Sequence, residues 1–329
     1  MSLTTRYMGL DLPTPLVVSS SGITQSVDGI LHAVDAGAGA VVVKSVFEEQ
    51  IRSQSREVVE SSQYPTAYPE GRDYIERYGK EEAFDSHLKL IRRAKREVAV
   101  PVIGSVHCVS AGSWTEYAKR LQDAGADAIE LNLFVLPNDP ERDPRSYEQV
   151  YFDVARAVRR HVTIPVALKI GSYFSGLAST AVELSREVNA LVLFNRFYPL
   201  DIDVEEMRIV AGEPFSDARE SVIPLRWISI LSGRVACDLA ATTGVHDGAG
   251  VVKHLLAGAA AVQLCSALYL RNDIGYLRTV LEEVESWMDR QGFRHLDDFR
   301  GKLSQEKSTD PAAHERVQFV LQTADRPLR

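Results

Sequence analysis

Cysteine is scarce in this chain: Cys108, Cys237 and Cys265 are the three in 329 residues, too few and too scattered for a disulfide framework, a metal-ligand cluster or an iron–sulfur set. A reducing compartment is the default that follows. Long hydrophobic runs are also missing. No apolar stretch approaches the ~20 residues of a membrane span, and Met1-Ser-Leu-Thr-Thr-Arg-Tyr7 lacks the basic-then-apolar layout of a secretory signal. Basic charge is in deficit, with 37 Lys and Arg against 45 Asp and Glu and a net charge of -8. No basic run is interleaved with aromatics, so a nucleic-acid surface has no support. The densest cluster, Arg92-Arg93-Ala-Lys95-Arg96, sits on a helical pattern and reads as a solvated face. These absences leave a cytoplasmic protein that acts on small molecules, with neither nucleic acid nor membrane as partner. Gly and Pro are scattered rather than clustered and no linker divides the chain, so residues 1–329 are expected to form one domain with a helical tail from about 272.

What is present is a repeat. Ala33-Val-Asp-Ala-Gly-Ala-Gly-Ala-Val-Val-Val-Lys44-Ser45, Leu121-Gln-Asp-Ala-Gly-Ala-Asp-Ala-Ile-Glu-Leu-Asn132 and Leu255-Leu-Ala-Gly-Ala-Ala-Ala-Val-Gln-Leu-Cys265-Ser266 share one design. A helix end is stopped by glycine, a short apolar strand follows, and a polar residue stands where the strand runs out. Eight apolar runs fit that scheme: Leu16 to Val18, Ala40 to Val43, Val102 to Ser105, Ala128 to Leu131, Val166 to Leu168, Ala190 to Phe194, Val235 to Ala240 and Ala261 to Leu264. Helical patterns lie between them, and eight parallel strands close an α/β (β/α)8 TIM barrel. An open doubly wound sheet would want Gly-x-Gly-x-x-Gly after the first strand, and Ser19-Ser-Ser-Gly22 is not that. A hairpin at Thr4 to Leu10 is expected to close the barrel floor. Long insertions at 46–81 and 196–223, the second with a hairpin around Glu205 to Glu213, are expected as lids over the catalytic face.

In such a barrel the carboxyl ends of the strands share one mouth. Lys44 and Lys169 end the second and fifth strands, and an ammonium at a barrel rim costs desolvation unless an anion or electron-rich ligand compensates it. Pairing with a neighbouring carboxylate such as Glu130 is the structural alternative. Asn132 and Asn195 end the fourth and sixth strands, where amides suit a ring bearing carbonyl and imide groups or simply cap a loop. Ser20, Ser21 and Gly22 could bring backbone N–H groups close to a flat ligand. The turns at Thr243-Gly244-Val245 and Cys265-Ser266 fall after strands seven and eight, where barrels often hold phosphate.

These residues carry a resemblance. Ser20-Ser-Gly22, Val43-Lys44-Ser45, Ala128-Ile-Glu-Leu-Asn132, Ala167-Leu-Lys169, the Gly244 turn and Gln263-Leu-Cys-Ser266-Ala-Leu268 make the chain similar, over nearly its whole length, to the dihydroorotate dehydrogenase family of FMN-dependent barrels. The resemblance implies FMN contacts from Ser20, Ser21, Gly22, Lys44, Ser45, Asn132 and Lys169, with Gly244, Val245, Cys265 and Ser266 around the phosphate. It places Lys169 near the flavin N1 and O2 edge and Lys44, Asn132 and Asn195 at the substrate. It also implies a homodimer.

The pattern breaks at the base. Active members follow the strand-four asparagine with a segment carrying a cysteine or serine that takes the substrate proton, whereas here Asn132-Leu-Phe-Val135-Leu-Pro-Asn138 puts Val135 at that place. Valine accepts no proton. Cys108, His107 and Tyr64 are the candidates to replace it. Tyr64 and Tyr68 also fall at substrate positions of the strand-two loop, and Arg196 stands where the family offers a small hydroxyl residue, so that its guanidinium could receive a different anionic substrate or fill the pocket. Three readings stay open: an FMN-dependent oxidoreductase acting on a small substrate, a dihydropyrimidine other than or besides dihydroorotate; a flavin-binding barrel without turnover, as sensor or partner subunit; and a phosphosugar barrel without redox chemistry.

Overall fold

The computed structural model describes residues 1–48, 84–108, 111–196 and 199–315. Eight parallel strands close into a barrel: β3 (Leu16–Val18), β4 (Ala40–Val42), β6 (Val102–His107), β7 (Ala128–Asn132), β8 (Val166–Ile170), β9 (Ala190–Leu193), β12 (Asp238–Ala241) and β13 (Ala261–Leu264). Pairing of β4 with β6 shuts the ring, and the two-residue β5 (Val46–Phe47) extends the same edge of β6. All eight runs read from the sequence are strands, although the seventh starts at Asp238 rather than Val235. Helices cross between them, among them Val27–Asp35, Ala111–Asp123, Pro144–Arg159 and Gly248–Ala257. Several begin on side-chain caps, as where Ser26 accepts from the N–H of Gly29 and Asp247 from that of Gly250.

Strand periodicity sorts the core into two shells. Leu16, Val18, Ile129, Leu131, Leu168 and Ile170 face the helices, while Val17, Ile103, Ala128, Ala167 and Ala261 face inward. The inward set is small, and a hairpin fills the space it leaves. Strands β1 (Thr5–Tyr7) and β2 (Leu10–Leu12) pair antiparallel and insert Tyr7, Met8 and Leu12 into the floor, each nearly fully buried. The turn is pinned because Met8 N–H donates to Asp238 Oδ2 at 2.7 Å. The floor hairpin is the one expected, with β2 running on through Asp11-Leu12. The second hairpin, β10 (Leu200–Asp203) and β11 (Arg208–Ala211), lies within the 196–223 insertion. The insertion at 46–81 falls almost wholly outside the described residues, and Tyr64 and Tyr68 with it.

Two histidines give the fold a pH dependence. Burial depresses the His87 imidazole to about 4, and His254, fully buried with its Nδ1 donating to the Gly250 carbonyl, is also held below the ordinary range by burial. Both are carried neutral, so the unfolded chain binds more protons below its histidine pKa of about 6.5. Stability is therefore full above pH ~6.5 and declines as pH falls toward 4. Urea unfolding at pH 7 and pH 5 is expected to show a loss on the order of 2 kcal/mol, reduced in a His87→Gln variant.

Candidate active site

Two residues beyond five of the inward-facing apolar positions, the barrel interior turns polar. Val17 leads to Ser19, Ile103 to Ser105, Ala128 to Glu130, Ala167 to Lys169 and Ala261 to Gln263, all buried. The side-chain period of two sends this set to one interior surface. Lys169, 8% exposed, donates from Nζ to Ser19 Oγ at 3.2 Å and Gln263 Oε1 at 3.3 Å. Glu130 Oε1 lies 3.9 Å away, and Gln263 Nε2 donates to Glu130 Oε2 at 2.5 Å. An ammonium has three protons, so Lys169, which lines the cleft, keeps one donor beyond these two hydrogen bonds. Its charge reaches the neighbouring Cys265, whose thiol is pushed up by burial and partly drawn back by Lys169.

That cleft encloses about 750 Å³, its open mouth included, and runs from Lys169, Ser19 and Gln263 past Ser20, Asn195 and Cys265 to Thr243, Gly244, Val245 and Ser266. At the far end Thr243 and Gly244 both have φ of +75°, which curls the backbone tightly before the helix Gly248–Ala257. Glycine is required at 244: a Cβ there would lie 2.2 Å from Ser221 N. A strap from the 196–223 insertion closes this end. Ser216 N–H donates to Ser266 Oγ at 3.0 Å, and Gly244 N–H donates to Ser216 Oγ at 3.2 Å. The neighbouring Phe215 stacks on Tyr269 with ring centres 5.2 Å apart. Ser216 was missed in the sequence because nothing within its own segment marks a contact with residues 28 and 50 positions away.

Nine of the expected residues meet at the cleft: Ser20, Lys169, Asn195, Arg196, Gly244, Val245, Cys265 and Ser266 line it, and Asn132 joins through its amide, Asn195 Nδ2 donating to Asn132 Oδ1 at 2.6 Å. Arg196 is tied to the strap rather than free: Nε pairs with Glu220 at 2.8 Å and Nη1 donates to the carbonyls of Glu213 and Pro214. Ser45 lies behind the lining, linked to Ser20 at 2.9 Å and Ser105 at 2.7 Å. Ser21 and Gly22 start a short helical turn whose Ile23 N–H donates to Tyr269 Oη. Lys44 stands at the outer rim, donating to Gln25 Oε1 at 3.3 Å, so the two lysines have different settings.

The candidates for a base diverge. Cys108 is buried in the outer shell near Tyr117. His107 sits between Phe47 and Trp114 and donates from Nδ1 to the Asn132 carbonyl at 2.7 Å, so it shapes the end of β7. Val135 is half-buried, and its N–H donates to Tyr151 Oη at 3.0 Å. Phe134 lies over Gly171, where a Cβ would meet its ring at 2.6 Å, and contacts Tyr173 edge-on. Among the described residues no three His, Cys, Asp or Glu gather as a metal site, and no helix is long and apolar enough to cross a membrane.

The cleft thus has a polar interior above an apolar floor, with a lysine at one end and the tight Thr243–Gly244 turn at the other. A family model described as dihydroorotate dehydrogenase matches residues 2–288. The chain belongs to the dihydroorotate dehydrogenase family. Among its relatives, the dihydroorotate dehydrogenase B (NAD(+)) catalytic subunit of Thermoplasma acidophilum is 26% identical, over 91% of this chain and 98% of that protein. A provisional dihydroorotate dehydrogenase A (fumarate) of Aeropyrum pernix is 29% identical, over 81% and 86%. The B-type catalytic subunit of Pyrococcus furiosus is 23% identical, over 92% and 98%. Membership of the dihydroorotate dehydrogenase family makes this chain an oxidoreductase by kinship, and its relatives carry two different electron acceptors in their names.

Proposed function

We propose that this chain is an FMN-dependent oxidoreductase acting on a dihydropyrimidine-like substrate, with dihydroorotate itself a poor one. The observation that carries it is Lys169: a buried ammonium lining the cleft, with the neutral Ser19 and Gln263 nearer to it than its carboxylate neighbour at 3.9 Å. The residues fit FMN. A flat ring bearing carbonyl and imide groups suits Lys169, Asn132 and Ser20, and a phosphate suits the Thr243–Gly244 turn with Ser266. Bound FMN would supply hydride transfer at N5 of its ring, chemistry that no side chain here provides.

The remaining work falls to the protein. Lys169 would hold positive charge where a reduced ring gathers negative charge, on a side chain that is itself buried. The Asn132–Asn195 contact leaves the Asn132 amide protons and the Asn195 carbonyl for a ligand, a donor and an acceptor side by side. Lys44 adds charge at the rim. Ser216 closes the anion turn and is added here to the binding residues. The protein is read as cytoplasmic and as a homodimer, for which the exposed Leu200, Ile202 and Ile209 of the second hairpin offer an apolar face.

One feature favours a second reading, a flavin barrel without turnover: Val135 stands where the base belongs, with its N–H already engaged by Tyr151. Anaerobic stopped-flow separates the two. The purified protein is expected to take up one FMN, and dihydroorotate, dihydrouracil or NADH to bleach its absorbance. Bleaching by none of the three supports the passive reading, and a chain that takes up no added FMN removes both.

A further inference from the structure

Glu130 has no task in the reading above. It is 1% exposed, Gln263 Nε2 donates to its Oε2 at 2.5 Å, and Oε1 has no hydrogen-bond partner among the described residues. A buried carboxylate beside a buried ammonium ordinarily closes to a direct charge-assisted contact near 2.8 Å. Here the two stand 3.9 Å apart, while the neutral Ser19 Oγ and Gln263 Oε1 are nearer to Nζ, at 3.2 and 3.3 Å. Stretching the pair from ~2.8 Å to that separation weakens its mutual attraction by about a quarter, and leaves more of the lysine charge uncancelled. Gln263 makes this possible, because its amide accepts from the ammonium and donates to the carboxylate, and so stands between them. Beneath the pair lies Tyr7, buried and with an unpartnered hydroxyl, which burial and then the Glu130 charge hold well above the usual phenol range.

We propose that Glu130 is a positioning residue which, held off by Gln263, cancels a set part of the positive charge that Lys169 presents to the cleft, and so fixes the reduction potential of the flavin there. The proposal rests on the cofactor reading. No bond or proton moves: Glu130 acts by its fixed charge and Gln263 by the spacing it enforces.

Two variants are expected to move the potential in opposite directions. Glu130→Gln keeps the shape and removes the negative charge, so reduction becomes easier. Gln263→Leu removes the spacer and lets Glu130 close on Lys169, so reduction becomes harder. The experiment equilibrates the FMN-loaded wild type and both variants with reference dyes under anaerobic conditions, with sulfite affinity of the oxidised flavin as a second readout. Glu130→Gln is expected to bind sulfite about tenfold more tightly, which corresponds to about 30 mV for a two-electron couple, with Gln263→Leu weaker than wild type. A purely structural role would lower thermal stability in both variants without shifts of opposite sign. Equal potentials in wild type and Glu130→Gln overturn the proposal and leave the cofactor reading standing. Should Glu130→Gln fail to fold, Gln263→Leu decides alone, and the absence of a negative shift there overturns it. A wild-type protein that takes up no FMN overturns both readings together.

Discussion

Lys169→Met is expected to lower both stability and flavin chemistry, and to make stability respond to pH in a way the wild type does not. The lysine is 8% exposed and its carboxylate partner 1% exposed. Removing one member of a buried pair leaves the other without compensation, which costs about 3–5 kcal/mol. Glu130 has an escape, which is to take up a proton. In the variant its folded pKa would lie above the unfolded carboxyl value of about 4.3. A carboxyl group raised in this way contributes most stability below the unfolded pKa and loses it as pH rises through the folded one. Measured against wild type at each pH, which cancels the histidine effect common to both, urea unfolding should therefore find Lys169→Met more destabilised at pH 8 than at pH 5, and Glu130→Gln in the same chain should restore most of the loss at pH 8. In the FMN-loaded protein the variant would also lack the charge proposed to stabilise the reduced ring. Removing one such preorganised donor elsewhere costs about 3 kcal/mol, or 10²- to 10³-fold in rate. Single-turnover flavin reduction is expected to slow by about 10²-fold. Reduction within threefold of wild type, with unchanged unfolding at both pH values, would show that Lys169 faces neither a reacting ligand nor a charge that matters.

The barrel was legible because its units repeat. Glycine-stopped helices followed by short β-branched runs leave parallel strands few alternatives, and all eight strands appear within a few residues of their expected positions. The mouth was legible in its first row, since Lys169, Asn132, Asn195, Cys265 and Ser266 stand at or just beyond strand ends. The period of two carries further. In Ala128-Ile-Glu130-Leu-Asn132 and Ala261-Val-Gln263-Leu-Cys265, the residues that face inward are small, then polar, then polar, so Glu130 and Gln263 were visible as interior groups. The approach of Glu130 to Lys169 was already one of the alternatives, since their strands are neighbours; the part Gln263 plays between them was not visible, because it comes from β13 on the other side of the barrel. Arg196 shows the opposite limit. Its position beside Asn195 pointed to a substrate anion, whereas the strap returning through Glu213–Glu220 pairs with it instead. A long loop has no periodicity from which such a return could be read.

Val135→Cys is expected to accelerate flavin reduction by dihydroorotate by between 10- and 10²-fold, below the upper end of what a positioned general base contributes. The site already holds the loop: Val135 N–H donates to Tyr151 Oη at 3.0 Å through its backbone, so the side chain is replaced without releasing the anchor. Burial raises the Tyr151 hydroxyl to about 12, so it stays neutral and the anchor persists across the working pH range. Cysteine is close to valine in volume, and the exchange should cost under about 1.5 kcal/mol. Because only the thiolate accepts the proton, the gain should grow with pH through about 8.5, while the wild type, with no base to ionise, shows no such rise. Val135→Ser should gain less, since its hydroxyl needs a further acceptor for the proton. The neighbouring ring is the control. Phe134→Ser places a hydroxyl one residue away, against Gly171 and Tyr173 rather than at the expected base position, and should leave the rate unchanged or lower. If Phe134→Ser accelerates and Val135→Cys does not, the register of this loop is shifted by one. If neither does, the chain has changed its substrate pocket and not merely its base, and the acceptor of the proton must be sought in what else binds there.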